Sequence, residues 1–274
     1  MSRRGGSGWN AAMLVAGLIW GLGQVLGQLA GPAEGMGAEP LPRGATDTPR
    51  GRVAQLPVDS RRRGDATTGT AWHAGGGIWF SNRHVVEGCA EHRLGERDAV
   101  GIDNLWAHPD ADLAAVRSRG DREPIPLARA APERRARAYA VGYPQGRPGI
   151  VELSLRGEGV MELTGSLRSE RPFRYKVWGV NRLPDHVASA ARLGGISGGV
   201  VVDRSGHALG VAFGGNGRRG TLLTIPHAEL NAAARSLAEA RPRADVRADH
   251  GPDIERHLRD LLRSDRVARV LCRY

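Results

Sequence analysis

From Thr67 onward the chain is cut into short apolar segments, most of them closed within a few residues by Gly, Pro, Asn or Asp: "GTAWHA", "GIWFSN", "LAAVRS", "RAYAVGY", "IVELSLRG", "FRYKVWGV", "GVVVD", "ALGVAF" and "TLLTIP". Runs this short, interrupted this often, are strands rather than helices. Many strands with turn signals between them define an all-β barrel or sandwich. The period changes only near the end. There "PHAELNAAARSLAEA" puts Leu230, Ala233, Ala234 and Leu237 on one side of a helix. Asp253 can cap a second helix with Ile254, Leu258, Leu261 and Leu262 on one face. No internal repeat of fixed period is present, and 274 residues suffice for one large or two small domains with a sizeable core.

One segment has an unusual density of glycine. "LGGISGGVVVDRSGHALGVAFGG", Leu193 to Gly215, sets four glycines around Ser197 before an apolar strand. Each glycine costs conformational entropy on folding, so such a cluster marks a backbone bent into angles other residues avoid, or one that something approaches closely. A hairpin turn would use glycine too, and the distinction rests on whether a base and an orienting acid are available for the serine. Among the nine histidines, His84 ends the β-like run "GGIWFSNRH" and begins the apolar "VVEGC", which places it at a barrel mouth. Asp112, in "HPDADLAAVR", directly precedes an apolar run, so its carboxylate lies where a buried strand starts. Asp110 follows Pro109 and has no such run after it, which makes Asp112 the preferred acid. His108 reads as a core histidine satisfied by backbone, and His207 as part of a hairpin turn.

Taken in order, "GTAWHAGGGIWFSNRHVVEGC", "DADLAAVR", "AVGYPQGRPG" and "GGISGGVVVDRSGHALGV" resemble the bacterial branch of the trypsin-like serine peptidases over roughly residues 67 to 230. The resemblance implies two six-stranded antiparallel β-barrels of chymotrypsin type, here with C-terminal helices. It makes Ser197 the nucleophile, His84 the general base and then acid, and Asp112 the residue that orients His84. It assigns the oxyanion-binding N–H groups to Gly195 and Ser197, where loss of one donor typically costs about 3 kcal/mol of transition-state stabilisation. Ala191, six residues before the serine, falls at the base of the primary pocket, with Val211, Ala212, Phe213 and Gly214 forming a wall and the strand that pairs with substrate. No carboxylate stands at Ala191, so a small or medium apolar side chain is expected there.

Two departures matter. In animal digestive relatives an aspartate before the serine receives the new N-terminus after zymogen cleavage; here Ile196 stands there and cannot pair with an ammonium group. Val200 replaces a proline often found after the two glycines. The expected function is an exported serine endopeptidase acting on polypeptide through an acyl-enzyme, with no cofactor and no metal. The alternative is a catalytically silent barrel used for binding or sensing.

The N-terminus bears on location. Arg3 and Arg4 precede a charge-free stretch to Ala33 containing "AAMLVAGLIWGLGQVLGQLA", followed by small residues. This reads as an export signal or a membrane anchor, either of which puts the remainder outside the cytoplasm, periplasmic or secreted. The net charge of +10 is almost wholly arginine, Lys176 being the one lysine, and runs such as Arg61-Arg62-Arg63 lack interleaved aromatics, so no nucleic-acid partner is expected. The two cysteines, Cys89 and Cys272, either pair as a disulfide or stay free with Cys89 as a small core residue. The expected organisation is a signal or anchor over 1–38, a linker over 39–66, barrels over 67–134 and 135–232, and a helical tail over 233–274.

Overall fold

The structure, a computed structural model, describes residues 54–58, 66–95, 100–237 and 253–274. The N-terminal segment read as a signal or anchor lies outside them. The described elements are β1 (Ala54–Val58), β2 (Ala66–Gly75), β3 (Ile78–Ser81), α1 (Arg83–Val86), β4 (Glu91–Leu94), β5 (Val100–Ala107), β6 (Ala114–Ser118), β7 (Arg137–Gly142), β8 (Gly149–Gly165), β9 (Phe173–Arg182), β10 (Val200–Val202), β11 (Ala208–Asn216), β12 (Thr221–Pro226), α2 (His227–Ser236), α3 (Ile254–Arg263) and β13 (Val267–Arg273).

Strands β13, β2, β3, β6, β5 and β4 close into an antiparallel barrel. The second sheet runs β1-β8-β7-β10-β11-β12-β9, and β8 also pairs with β9, so its six antiparallel strands form a second ring with β1 added in parallel. The 17-residue β8 serves both neighbours because its pairing with β9 shifts register at Glu152/Leu153 and Leu155/Gly157, bends that turn a strand around a barrel corner.

The alternation of side chains along each strand feeds two different cores. Ala71 of β2 faces the interior of the first barrel with Trp79, Val116 and Val270, while its neighbours Trp72 and Ala74 face the second barrel. In β10, Val201 points into the second barrel while Val200 and Val202 point to the shared core between the two. That shared core includes Phe80, Leu113, Val141 and Phe213, and α2 and α3 add Leu230, Leu258 and Leu261. Burial on both faces is why these strands read as unbroken apolar runs; each large side chain so buried contributes about 1.5–3 kcal/mol.

Four strands differ from the sequence expectation. The segment expected as a helical tail ends in a strand: Ala268, Val270 and Cys272 are buried while Arg269, Leu271 and Arg273 are not, a period of two that pairs β13 with both β2 and β4. Without it the first barrel would have two open edges. Within the stretch expected as linker, Ala54–Val58 pairs with Met161–Gly165, and Pro57 is tolerated because β1 is an edge strand. Strands β4 and β5 carry mixed polar sequence and so lack the apolar signal.

Candidate active site

The turn α1 follows β3 directly and carries His84, while Asp112 sits just before β6, which pairs with β3 through Ser81 and Ala114. This pairing brings the two residues together. Asp112 Oδ1 accepts the backbone N–H of His84 at 3.0 Å, and Oδ2 lies 2.5 Å from His84 Nδ1. The Asp112 side chain is fully buried and that of His84 is 15% exposed, so the carboxylate is shielded while one edge of the ring meets solvent. Asn82 Nδ2 donates to the Asp112 carbonyl at 2.6 Å, fixing the backbone on the acid's own side.

The loop before Asp112 is held by a second histidine. His108 Nδ1 accepts the N–H groups of Asp110 and Ala111 at 3.0 and 2.9 Å, and its Nε2 lies 3.3 Å from Glu229 on α2. Asp110 points elsewhere, accepting from the Arg171 N–H at 2.8 Å. His207 lies in the β10–β11 turn beside Asp203.

Ser197 precedes β10, on the side of the second barrel that meets β2. Its carbonyl accepts the Thr70 N–H at 2.8 Å, and Gly198 N–H donates to Ala212 at 2.8 Å. Gly198 has φ +85°, and a Cβ there would overlap the Thr70 carbonyl and lie 2.5 Å from Ser81 Oγ. Ser81 is three residues before His84, so the neighbours of the serine and of the histidine touch. Gly195 has φ +92°, and a Cβ on it would lie 2.5 Å from the Tyr143 carbonyl. Among the described residues the N–H groups of Gly195 and Ser197 donate to no partner, and Ser197 Oγ and His84 Nε2 take none. Ile196 is 3% exposed and packs in the second core, its Cδ1 near Gly142, so apolar burial rather than an ion pair anchors the loop.

Thr70 is the residue that sequence reasoning missed. Its Oγ1 donates to the Gly195 carbonyl at 2.8 Å and accepts the Tyr143 N–H at 3.0 Å, while its own carbonyl accepts from Ser81 Oγ at 2.7 Å. Nothing in the sequence sets it apart from Thr67 and Thr68 in the same strand. Gln145 completes the support, donating from its backbone to Gly194 O at 2.6 Å and from Nε2 to Arg192 O at 3.1 Å.

The expected pocket residues divide. The side chains of Val211, Ala212 and Phe213 are fully buried in the cores and line no open pocket. Gly214 is half-exposed, with nothing within 4 Å of where a Cβ would stand. Ala191 is exposed on the turn Ala190–Arg192, and a Cβ on Gly217 would overlap it, so these two backbones are in contact. Cys89 and Cys272 form a disulfide with Cα atoms 5.5 Å apart, tying β13 to the segment after α1. Among the described residues no group of three metal-ligating side chains occurs, and no helix is long and apolar enough to cross a membrane.

Two β-barrels meeting at a seam, with a buried Asp–His pair on one side and a glycine-bound serine on the other, define a fold of the chymotrypsin class. The family model of the trypsin-like peptidase domain matches residues 67–211, and the chain belongs to that family. The Rv3671c protease from M. tuberculosis in its active form superposes with a TM-score of 0.51 at 17% identity, covering 74% of this chain and 97% of that one. An inactive form of Rv3671c gives 0.50 at 18% identity, covering 64% and 87%. Identities this low carry the fold alone. No curated protein matches the chain in sequence.

Proposed function

We propose that this chain is an exported serine endopeptidase that cleaves polypeptide through an acyl-enzyme on Ser197. The observation that carries the reading is the double contact of Asp112 with His84, through the backbone N–H and through Nδ1. An ionised carboxylate only accepts, so the proton resides on Nδ1 and Nε2 is left as the basic nitrogen. That nitrogen takes the Ser197 proton as the hydroxyl attacks the scissile carbonyl, and returns it to the leaving amine; water repeats the cycle to release the acid. The Ser197–His84 hydrogen bond closes when substrate fills the seam, as apo geometry at such sites is often long.

The unpartnered N–H groups of Gly195 and Ser197 receive the oxyanion. The Ala191–Gly217 contact and the lack of a carboxylate at Ala191 support a small apolar residue before the cut. The half-exposed backbone at Gly214, paired with Leu223 on one edge, supports pairing with an extended substrate on the other. The Cys89–Cys272 disulfide and the basic-then-apolar N-terminal sequence support a periplasmic or secreted location. Cleavage of unfolded casein by the parent chain, absent in Ser197→Ala and in His84→Ala, tests the reading; equal cleavage by either variant would overturn it.

A further inference from the structure

A cleft of about 1300 Å³ runs between the two barrels and α3, and none of His84, Asp112 and Ser197 lines it. Among the described residues its walls carry six arginines against three carboxylates. The carboxylate Glu255 is already shared by Arg182 and Arg259, and Arg263 pairs with Asp260 on its own helix. Arg119, Arg122 and Arg147 have no carboxylate in ion-pair reach among the described residues. They are exposed and stand on opposite walls: Arg119 and Arg122 follow β6 of the first barrel, and Arg147 lies between β7 and β8 of the second. Uncompensated charge of one sign along a concave surface focuses a field that draws anions.

We propose that this cleft is a docking site for an acidic, extended polypeptide segment. Three features choose that occupant. The volume exceeds the range of about 300–1,000 Å³ usual for small-molecule sites, so a polymer suits it better than a free anion. Between the arginines lie half-buried Ile150, Leu183 and Leu262, which suits a strand-like chain that alternates carboxylates with apolar side chains. The lining aromatics Trp79 and Tyr143 are each 3% exposed, so among the described residues neither offers an open ring face on which nucleic-acid bases could stack. The site goes beyond the peptidase reading and stands or falls without it, since binding does not require Ser197 to react.

The test is fluorescence anisotropy of a short fluorescein-labelled peptide repeating Glu-Leu-Glu-Ala, titrated with the full chain carrying Ser197→Ala so that the probe stays intact. The expected result is saturable binding that Arg119→Glu/Arg147→Glu weakens about tenfold or more, with both proteins melting alike. A charge-matched pair outside the cleft, Arg134→Glu/Arg168→Glu, leaves the affinity within about twofold if the site is local. Absence of saturable binding, or equal weakening by the two double variants, would overturn the proposal.

Discussion

Thr70 Oγ1 donates to the carbonyl of Gly195 at 2.8 Å, joining β2 of the first barrel to the serine loop of the second across 125 residues of sequence. The same oxygen accepts the Tyr143 N–H, so one hydroxyl sets both strands of backbone around the proposed oxyanion site. Thr70→Val keeps the shape and removes both bonds. We expect kcat to fall by about tenfold or more with KM little changed, and stability to fall by about 1–3 kcal/mol, because the Tyr143 N–H loses its acceptor in a buried setting and the Gly195 carbonyl its donor in a partly buried one. Thr70→Ser should recover most of the rate. Steady-state kinetics on a peptide substrate, read beside thermal melts, separates this positioning role from a general loss of fold.

Gly198→Ala tests the packing of the serine loop itself. The added methyl would overlap the Thr70 carbonyl and force an alanine to φ +85°. Both effects oppose the native backbone, so we expect a loss of at least about 2–3 kcal/mol and loss of hydrolysis together. Gly194→Ala is the control, since nothing lies within 4 Å of its Cβ position. Chemical denaturation of the two variants checks the contrast.

The strand β13 holds the histidine turn from behind. Tyr274 Oη donates to the His84 carbonyl at 3.3 Å, and the Cys89–Cys272 disulfide spans a sequence separation of 183. Closing a loop of that length restricts the unfolded chain, with a typical stabilisation of about 2–4 kcal/mol. Reduction, or Cys89→Ser/Cys272→Ser, should therefore lower the melting temperature by several degrees or more. Tyr274→Phe should leave the melt nearly unchanged while lowering kcat modestly. Melts with and without reductant, compared with rates, check both.

Acid should weaken the fold through a buried imidazole. His73 has a fully buried side chain, and desolvation holds its pKa below the ordinary value despite the nearby Asp121. A histidine whose folded pKa is depressed is neutral in the native state and takes a proton more readily once unfolded. The unfolded chain then binds more protons below about pH 6.5, so stability falls as pH drops through that value toward the folded pKa. His227 is lowered by burial and by Lys176 and adds in the same direction. Melting temperatures at about pH 7.5, 6.5 and 5.5 should decline in the parent and decline less in His73→Gln.

The all-β class was legible because its signals are local, as was the placement of His84 and Asp112 at strand ends and of Ser197 in a glycine loop. Val200-Val201-Val202 is buried on both faces and so reads as a continuous apolar run, and glycines mark the serine loop wherever the backbone turns to positive φ. What was not legible depends on distant partners. The alternation in Val267–Arg273 is weak in sequence and becomes a strand because two barrel edges 170 residues or more away need it. Thr70 resembles any strand threonine until Gly195 and Tyr143 are seen beside it. The same limit applies to the pocket: spacing from Ser197 finds Val211, Ala212 and Phe213, but only the packing shows that their side chains turn into the cores.

The central claim is that Ser197 is a nucleophile activated by His84, and labelling with a fluorophosphonate probe tests it most directly. Mass spectrometry of the labelled full chain should locate one adduct on Ser197, and His84→Ala should lose it. A folded protein that takes no label, or an adduct that persists without His84, would contradict the account.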